Sequence, residues 1–390
     1  MLKNEIRQQL EQKILPFWMG MKDETYGGFY GYMDNRLQVN RTATKGCILN
    51  SRILWTFSTA ARVLDREDLR KYADHAYAFL QNFLDPENGG VYWSVTYDGK
   101  PADTTKHTYC QAFAIYGLSA YYRLTGKQEA LDRATALFRT IETRCRDAGG
   151  YLEALKADFS PESNEKLSEN GIMASRTMNT LLHVVEAYTE LYRACPDAEV
   201  AAAATAGLNQ FPEKIYNSEK RRMEVFFDAD FRPILDMQSY GHDIEGSWLL
   251  WDAAKVFIPE EKLESWRSMC LDLLKSPTER GFTDHGLAYE IVNGEKNTNR
   301  AWWPQAEAML GFAFGWEETG DPVWVDRMRT QWKYIREVMV DPREGSEWFN
   351  EVLEDGTLVD DKPLVEEWKC PYHNGRMCLQ LIRADLPEGI

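Results

Sequence analysis

A histidine and a glutamate stand three residues apart in SYGHDIEGSW (239–248), where His242 precedes Glu245. Residues at this spacing share one face of a helix, and the aromatic side chains of Tyr240 and Trp248 flank the pair. An imidazole with a pKa of about 6.5 can both take and return a proton near neutral pH. The stretch therefore predicts an acid/base pair, with a hydrogen-bonded core histidine beside a solvated glutamate as the alternative.

Comparable polar and aromatic side chains interrupt other apolar, helix-like segments. The further candidates are Arg52 in NSRILW, His107 and Tyr109 in TKHTYC, Asn179 and His183 in MNTLLH, Trp302, Trp303 and Glu307 in WWPQAEA, and Trp368, Tyr372, His373 and Asn374 in WKCPYHN. Asn179 lies four residues before His183, and both therefore fall on one helix face. The same spacing relates Trp303 to Glu307.

The histidines have simpler structural explanations that must be weighed. His183 lies among apolar residues, where a histidine is commonly a hydrogen-bonded core group, and His107 could cap the start of a helix. Packing alone does not explain His373, because PYHNG sets a polar core between proline and glycine. His75 and His285 fall in an amphipathic helix and a β-like loop, and we expect both at the surface.

Glu307 is harder to attribute to packing. It lies in the apolar run AEAMLGFAF, and an unpaired buried carboxylate is costly. We expect its partner to be His242, Arg52 or a substrate hydroxyl. The pair Trp302–Trp303 fits core filling as well as it fits a flat apolar platform for a sugar.

A glycine-containing, aromatic, β-like segment recurs six times along the chain. The six copies begin at Gly27, Gly89, Gly149, Met223, Gly281 and Gly345. Successive starts are 58 to 74 residues apart. Self-similarity at a nearly constant period indicates a repeated structural unit.

Between these copies, the sequence reads as pairs of helices. An apolar-rich helix is predicted over 45–64, 104–124, 170–194, 240–257, 299–318 and 367–383, and a more amphipathic helix over 66–84, 127–146, 197–216, 259–275 and 322–340. A helix over 2–19 completes the sixth pair. Short connections place neighbouring helices side by side. The chain is therefore predicted to be all-α, an (α/α)6 barrel of twelve helices in six pairs that forms a single domain over residues 1–390.

This architecture predicts where the polar candidates meet. If the six apolar-rich helices form an inner ring, they run parallel and their N-termini surround one mouth. The β-like hairpin segments precede those N-termini and wall that mouth. Candidates that are far apart in sequence are thereby expected to converge on one site.

Charge and composition exclude several partners. The 45 basic residues are outnumbered by 61 acidic ones, which disfavours nucleic acid and anionic membranes. No apolar run reaches the length of a membrane span, and the N-terminus lacks the apolar core of a signal peptide. The seven cysteines are scattered without a CxxC motif, so neither a disulfide framework nor a zinc ribbon is expected. We expect a cytoplasmic monomer.

Motifs for several reaction classes are absent from the sequence. There is no P-loop, no GxSxG elbow and no HExxH, and we expect neither a cofactor nor a metal. Two classes of enzyme remain. A glycoside hydrolase would use two carboxylates such as Glu245 and Glu307. Alternatively, histidines would act as acid and base beside a sugar carbonyl, and three histidines with few lone acids favour this second interpretation.

Six motifs in order along nearly the whole chain resemble the N-acylglucosamine 2-epimerase superfamily, and within it the group that acts on cellobiose. They are SRILW (51–55), KPADTTKHTY (100–109), LSENG (167–171), SYGHDIE (239–245), WWPQAEA (302–308) and WKCPYHNGRM (368–377). The resemblance implies an (α/α)6 barrel and an isomerase that converts reducing-end glucose to mannose without a cofactor. Its substrates would be cellobiose, lactose and related β-1,4-linked disaccharides. N-acylglucosamine 2-epimerase, mannose 2-epimerase and mannose isomerase activities remain alternatives.

The resemblance also implies roles for individual residues. It implies acid/base roles for His242 and His373, a third essential histidine at His183 beside Asn179, substrate-holding roles for Arg52 and Tyr109, orienting carboxylates at Glu245 and Glu307, and stacking indoles at Trp303 and Trp368. On this basis SYGHDIE contains one acid/base histidine and the glutamate that positions it.

Overall fold

Helices make up most of the chain in the computed structural model, which describes residues 2–164, 166 and 172–387. The α-helices are α1 (Leu2–Gln9), α2 (Leu15–Gly20), α3 (Cys47–Leu64), α4 (Glu67–Leu80), α5 (Thr108–Thr125), α6 (Gln128–Arg144), α7 (Met178–Ala194), α8 (Ala198–Gln210), α9 (Tyr240–Phe257), α10 (Glu260–Gly281), α11 (Trp302–Thr319), α12 (Pro322–Tyr334) and α13 (Tyr372–Arg383). A π-helical turn, Leu10–Ile14, joins α1 to α2, so these segments make twelve helices. The motif LSENG (167–171) lies outside the described residues.

Six of these helices form a closed inner ring. In sequence order α3, α5, α7, α9, α11 and α13 each contact the next, and α13 contacts α3. The burial of α3 shows this position: every residue from Cys47 to Ala61 is buried, so this stretch has no face toward solvent. The N-terminal helix packs against α13. The predicted (α/α)6 barrel is confirmed.

The remaining helices are amphipathic and lie outside the ring. In α4 the buried residues include Leu69, Ala73, Ala76 and Leu80, which fall three or four positions apart and form a single apolar stripe. Each of α4, α6, α8 and α10 contacts both the inner helix before it and the inner helix after it. The outer helices therefore bridge successive inner ones.

Short antiparallel strands precede the inner helices. The strands are β1 (Lys45–Gly46), β2 (Ser94–Val95), β3 (Pro101–Asp103), β4 (Arg176–Thr177), β5 (Tyr216–Asn217), β6 (Arg222–Met223), β7 (Phe226–Phe227), β8 (Met237–Ser239), β9 (Phe282–Thr283), β10 (Gly286–Leu287), β11 (Glu290–Val292), β12 (Glu295–Asn297), β13 (Arg300–Ala301) and β14 (Glu351–Val352). Among the described strands, four of the eight pairings join neighbouring units: β1 pairs with β2, β4 with β7, β8 with β11, and β13 with β14. At the entrance to the ring, hydrogen-bonded strands thus connect successive repeats.

Five of the inner helices begin two to eight residues later than predicted from the sequence, because the residues just before them are extended. A buried basic residue anchors several of these segments. Lys45 pairs with Asp23 at 2.7 Å, and Lys106 pairs with Asp85 at 2.9 Å. Such ion pairs join positions that local helix periodicity does not relate.

No helix in the described part of the chain is long and apolar enough to cross a membrane. All seven cysteines are free, and Cys195 is exposed while the others are buried.

Candidate active site

The candidate residues occupy two layers at the N-terminal end of the inner ring. Arg52, Phe113, His183, Glu245 and Glu307 are each the sixth residue of their inner helix. Tyr109, Asn179, His242, Trp303 and His373 are each the second or third residue of theirs. Because an α-helix rises 1.5 Å per residue, the first set lies about one turn deeper than the second. The structure brings the predicted residues of both layers together in one cluster, and it adds Phe113, which the sequence analysis does not predict.

Arg376 on α13 lies at the centre of the deeper layer. Its guanidinium donates to Glu186 at 2.6 Å, to Glu245 at 2.6 Å and to Glu307 at 2.7 Å, with no exposed surface of its own. It also contacts the Tyr372 hydroxyl. Buried carboxylates are tolerated only when they are paired and hydrogen-bonded. One arginine therefore holds three helices' carboxylates in place.

His373 is paired with one of these carboxylates. Its Nδ1 lies 2.6 Å from Glu307 Oε1, and the Trp248 indole N–H donates to the other Glu307 oxygen at 3.0 Å. Burial, together with the positive charges of Arg52 and Arg376, lowers the pKa of His373 well below its usual value. A neutral imidazole whose Nδ1–H donates to a carboxylate presents the lone pair of Nε2 to a substrate.

His183 has a carboxylate partner of its own one turn along α7. Its Nδ1 lies 2.8 Å from Glu186 Oε2, and the Tyr372 hydroxyl donates to Glu186 Oε1 at 2.7 Å. Burial would raise the pKa of Glu186, but Arg376 and His183 together lower it to about 2. The carboxylate is therefore ionised and fixes the imidazole.

His242 does not pair with Glu245, and that interpretation of SYGHDIE is wrong. Its Nδ1 instead lies 2.7 Å from the hydroxyl oxygen of Ser239. Burial and the nearby His183 lower the pKa of His242 to about 3, although part of the side chain reaches solvent. Glu245 lies one turn deeper, where it accepts from Arg376, so residues on the same face here have different partners.

The pKa of the Glu245 carboxyl is raised to about 7 by burial and by the neighbouring Glu307. Its Oε2 lies 4.0 Å from His183 Nε2, and its Oε1 lies 3.9 Å from His373 Nδ1. Glu245, Glu307 and His373 each offer a potential metal-ligand atom within 4.8 Å of the other two. Arg376 already donates to both carboxylates, so a cation there would have to displace the guanidinium.

Arg52 pairs with a phenol and not with Glu307. Its Nη2 donates to the Tyr109 hydroxyl at 2.8 Å and its Nη1 donates to the Trp368 carbonyl at 3.3 Å. The guanidinium lies over the rings of Phe113 and Tyr372. Burial raises the pKa of Tyr109, which keeps the phenol protonated. Among the described residues no carboxylate pairs with Arg52.

The remaining predicted binding residues line the upper layer. The Trp303 ring lies 4.7 Å from the ring of His242 and 5.5 Å from that of His373. It is only 9 % exposed, so it is more buried than an open stacking platform. Trp368 is partly exposed, and the centre of its ring lies 5.8 Å from the centre of the Trp93 ring. The Asn179 side-chain oxygen has no partner among the described residues.

The other histidines fall outside this cluster. His107 is buried and caps α5, accepting from the Tyr109 backbone N–H at 3.3 Å, as the simpler explanation predicted. His285 is exposed. His75 is only partly exposed and contacts the Gly28 carbonyl at 2.8 Å, so its assignment to the open surface is wrong.

Sequence reasoning missed Arg376, Glu186 and Phe113, which lie in the deeper layer, and Ser239, which directly precedes α9. Arg376 and Glu186 carry a signal, because each is a charged residue in an inner helix, three residues after a candidate histidine and therefore on the same face. The argument that an unpaired buried charge is costly applies to them as it does to Glu307. Ser239 carries no such signal, since a serine before a helix is expected to be its N-cap.

The helical barrel is the fold of solved sugar epimerases, and the sequence identifies the family within that class. The profile of the N-acylglucosamine 2-epimerase family matches residues 28–374. The chain belongs to this family.

Individual relatives are similar over their full length. Cellobiose 2-epimerase of Eubacterium cellulosolvens is 47 % identical over 406 aligned residues, which cover 100 % of both chains. Cellobiose 2-epimerase of Ruminococcus albus is 44 % identical over 98 % of both chains. The solved structure of cellobiose 2-epimerase from Bacillus thermoamylovorans B4167 superposes with a TM-score of 0.95 and 42 % identity, covering 98 % of this chain and 99 % of that one.

Proposed function

We propose that this chain is a cellobiose 2-epimerase, an isomerase that inverts C2 of the reducing-end glucose of cellobiose, lactose and related β-1,4-linked disaccharides. One observation carries the proposal. Two imidazoles from different helices, His242 on α9 and His373 on α13, lie against the same indole, that of Trp303. Two proton-transfer groups beside one apolar face suit a reaction that removes a proton from a sugar carbon and returns it from the other side.

The reaction begins with opening of the sugar ring, because only the aldehyde acidifies the proton at C2. One histidine then takes that proton, and the other returns a proton to the opposite face. A base must be neutral before it acts. The pKa values of both His242 and His373 are lowered, which supports their acting as bases at neutral pH.

The intermediate is a cis-enediolate, and its negative oxygen needs fixed donors. Arg52 and Tyr109 suit this role because they form a hydrogen-bonded pair and because no carboxylate among the described residues neutralises the guanidinium. An oxyanion would therefore be the missing counter-charge. Glu307 and Glu186 act indirectly, by fixing the Nδ1–H tautomers of His373 and His183.

The geometry does not favour the glycoside hydrolase alternative. Such an enzyme places its two carboxylates on either side of a glycosidic bond, about 5 Å or more apart. Glu245 and Glu307 both accept from one nitrogen of Arg376, at 2.6 and 2.7 Å, so a cation lies between them. The guanidinium fills the space that a sugar would need, and both carboxylates are buried.

A second sugar unit distinguishes a disaccharide substrate from the monosaccharides of the alternative relatives. Trp368 lies partly exposed beside Trp93, and flat indoles at an entrance suit a second glucose unit. We include in the proposal a single domain, a monomeric cytoplasmic protein, and catalysis without metal or cofactor.

Incubating the protein with cellobiose and identifying the products by NMR tests the proposal. Glucosyl-mannose is the expected product. Free glucose would support the hydrolase, and conversion of mannose to fructose without turnover of any disaccharide would support a mannose isomerase.

A further inference from the structure

Ser239 precedes α9 at the N-cap position. A serine at this position commonly accepts a hydrogen bond from a backbone N–H in the first turn. Thr177 and Asp197 cap α7 and α8 in this way. Ser239 makes no capping bond, and its hydroxyl oxygen lies 2.7 Å from His242 Nδ1. The side chain of this N-cap residue therefore contacts the His242 imidazole and not the backbone of the helix.

The surrounding strands hold Ser239 in this position. Ser239 ends β8 and pairs with Glu290 of β11, and it is 4 % exposed. The backbone that carries this hydroxyl is therefore held by a sheet.

The other two histidines of the cluster have charged partners. Nδ1 of His183 faces Glu186 and Nδ1 of His373 faces Glu307. Only His242 faces a neutral hydroxyl. A hydroxyl oxygen can accept the Nδ1–H bond without adding negative charge.

We infer that Ser239 is a positioning residue for proton transfer: its hydroxyl accepts the Nδ1–H of His242 and leaves Nε2 as the atom that exchanges a proton with the substrate. The inference rests on the proposed function. When His242 acts as a base, Nε2 takes the C2 proton while Nδ1 keeps its own proton and donates it in a hydrogen bond to the Ser239 hydroxyl. When it acts as an acid, the imidazolium gives the Nε2 proton and returns to the same tautomer.

The neutral partner also sets how readily His242 gives up its proton. The titratable groups that face His242 are His183 from α7 and His373 from α13, and neither favours an imidazolium there. Burial and His183 keep the pKa of His242 low, at about 3. A carboxylate at position 239 would stabilise the imidazolium and raise that pKa.

Replacing the hydroxyl tests the inference by activity. S239A should lower kcat on cellobiose about 10-fold to 100-fold, the usual effect of losing an orienting partner, with KM and Tm nearly unchanged. S239T, which keeps a hydroxyl, should recover most of the loss. D197A is the matched control, because its side chain truly caps a helix on the outside of the barrel: it should lower Tm and leave kcat unchanged. Wild-type kcat in S239A would overturn the inference.

The pH profile provides a readout that a purely structural role would not move. In S239D the pKa of His242 rises, and the base form is then lost at a higher pH. The acid limb of kcat/KM should therefore shift upward by about one pH unit or more. An unchanged limb in an active S239D protein would contradict the proposed contact.

Nitrogen-15 NMR of the histidine rings tests the tautomer without any substrate. The wild-type protein should show His242 protonated on Nδ1, with the signal assigned by its loss in H242N, and S239A should lose that preference. A wild-type His242 protonated on Nε2 would overturn the inference even if S239A failed to fold. Lack of cellobiose turnover by the wild-type protein would refute the proposed function, and the ring spectrum would still decide whether Ser239 fixes the tautomer.

Discussion

Two arginines, both buried at the same end of the ring, have opposite surroundings. Arg376 touches three carboxylates, on Glu186, Glu245 and Glu307. Arg52 touches a phenol, a backbone carbonyl and aromatic faces, and no carboxylate among the described residues pairs with it.

The difference separates a residue that holds the site together from one that is ready to bind. A buried charge that is fully paired contributes to the fold, and removing it leaves its partners as unpaired buried charges. A buried guanidinium without a counter-charge keeps its electrostatic capacity for an anion that forms during the reaction. Arg376 is therefore expected to govern stability, and Arg52 is expected to govern the rate.

The largest expected effect is that of R376M. It leaves three buried carboxylates without their cation, and breaking a buried ion pair costs about 3–5 kcal/mol. Denaturant unfolding should show a loss of at least this size. R193M is the matched control, since Arg193 forms a bidentate pair with Asp252 at the surface and should cost no more than about 1 kcal/mol. Equal losses of stability in R376M and R193M would contradict the special structural role of Arg376.

R52M should show the reverse behaviour. Loss of the oxyanion donor should reduce kcat about 10²–10³-fold. The free energy of unfolding should fall by only about 1–3 kcal/mol, because a phenol and a backbone carbonyl lose their donor but no carboxylate is left unpaired. Steady-state kinetics and denaturant unfolding on the same preparations measure both quantities. A stability loss as large as that of R376M with little change in kcat would reverse the assigned roles.

Sequence reasoning found Arg52 but not Arg376, and the reason is physical. Arg52 was recognisable as a charge in an apolar helix. Arg376 stands three residues after His373, and its partners lie on α7, α9 and α11, with Glu186 190 residues away along the chain. Helix periodicity identifies which face a residue occupies but not which helix supplies its partner. For the same reason, the spacing of His242 and Glu245 predicts a pair that the structure does not form.

The barrel itself was accessible from the sequence because each repeat carries the same local signals. Six β-like segments and the helices between them were sufficient to predict the ring. The starts of the inner helices were less accessible: α7 begins at Met178, after a strand that pairs with β7. Strand pairing between repeats overrides the local helical pattern, and no short window of sequence contains it.

The indoles of Trp368 and Trp303 are both proposed to bind substrate, but they differ in burial. W368A should lower disaccharide turnover with little loss of Tm, because Trp368 is partly exposed. W303A should lower both disaccharide turnover and Tm. Trp303 packs so closely on Gly241 that a Cβ at position 241 would meet its ring, and truncating a buried tryptophan costs about 3–5 kcal/mol. Kinetics on cellobiose and thermal unfolding separate the two. Identical behaviour would contradict the difference in burial.

The smallest expected effect is that of metal removal. Arg376 occupies the position between Glu245 and Glu307, so exhaustive dialysis against EDTA should leave kcat unchanged. Loss of activity that Zn²⁺ or Mn²⁺ restores would mean that a cation, and not the guanidinium, serves these carboxylates during turnover.

Proton exchange at C2 tests the central claim most directly. H242N and H373N should each lower turnover about 10²–10⁴-fold and remain folded, and in D₂O each should keep exchange from a different epimer. One variant should still exchange the C2 proton of cellobiose, and the other that of glucosyl-mannose, as followed by NMR. A single variant that loses exchange from both epimers would indicate one base, and exchange in neither the wild-type protein nor any variant would contradict the two-histidine account.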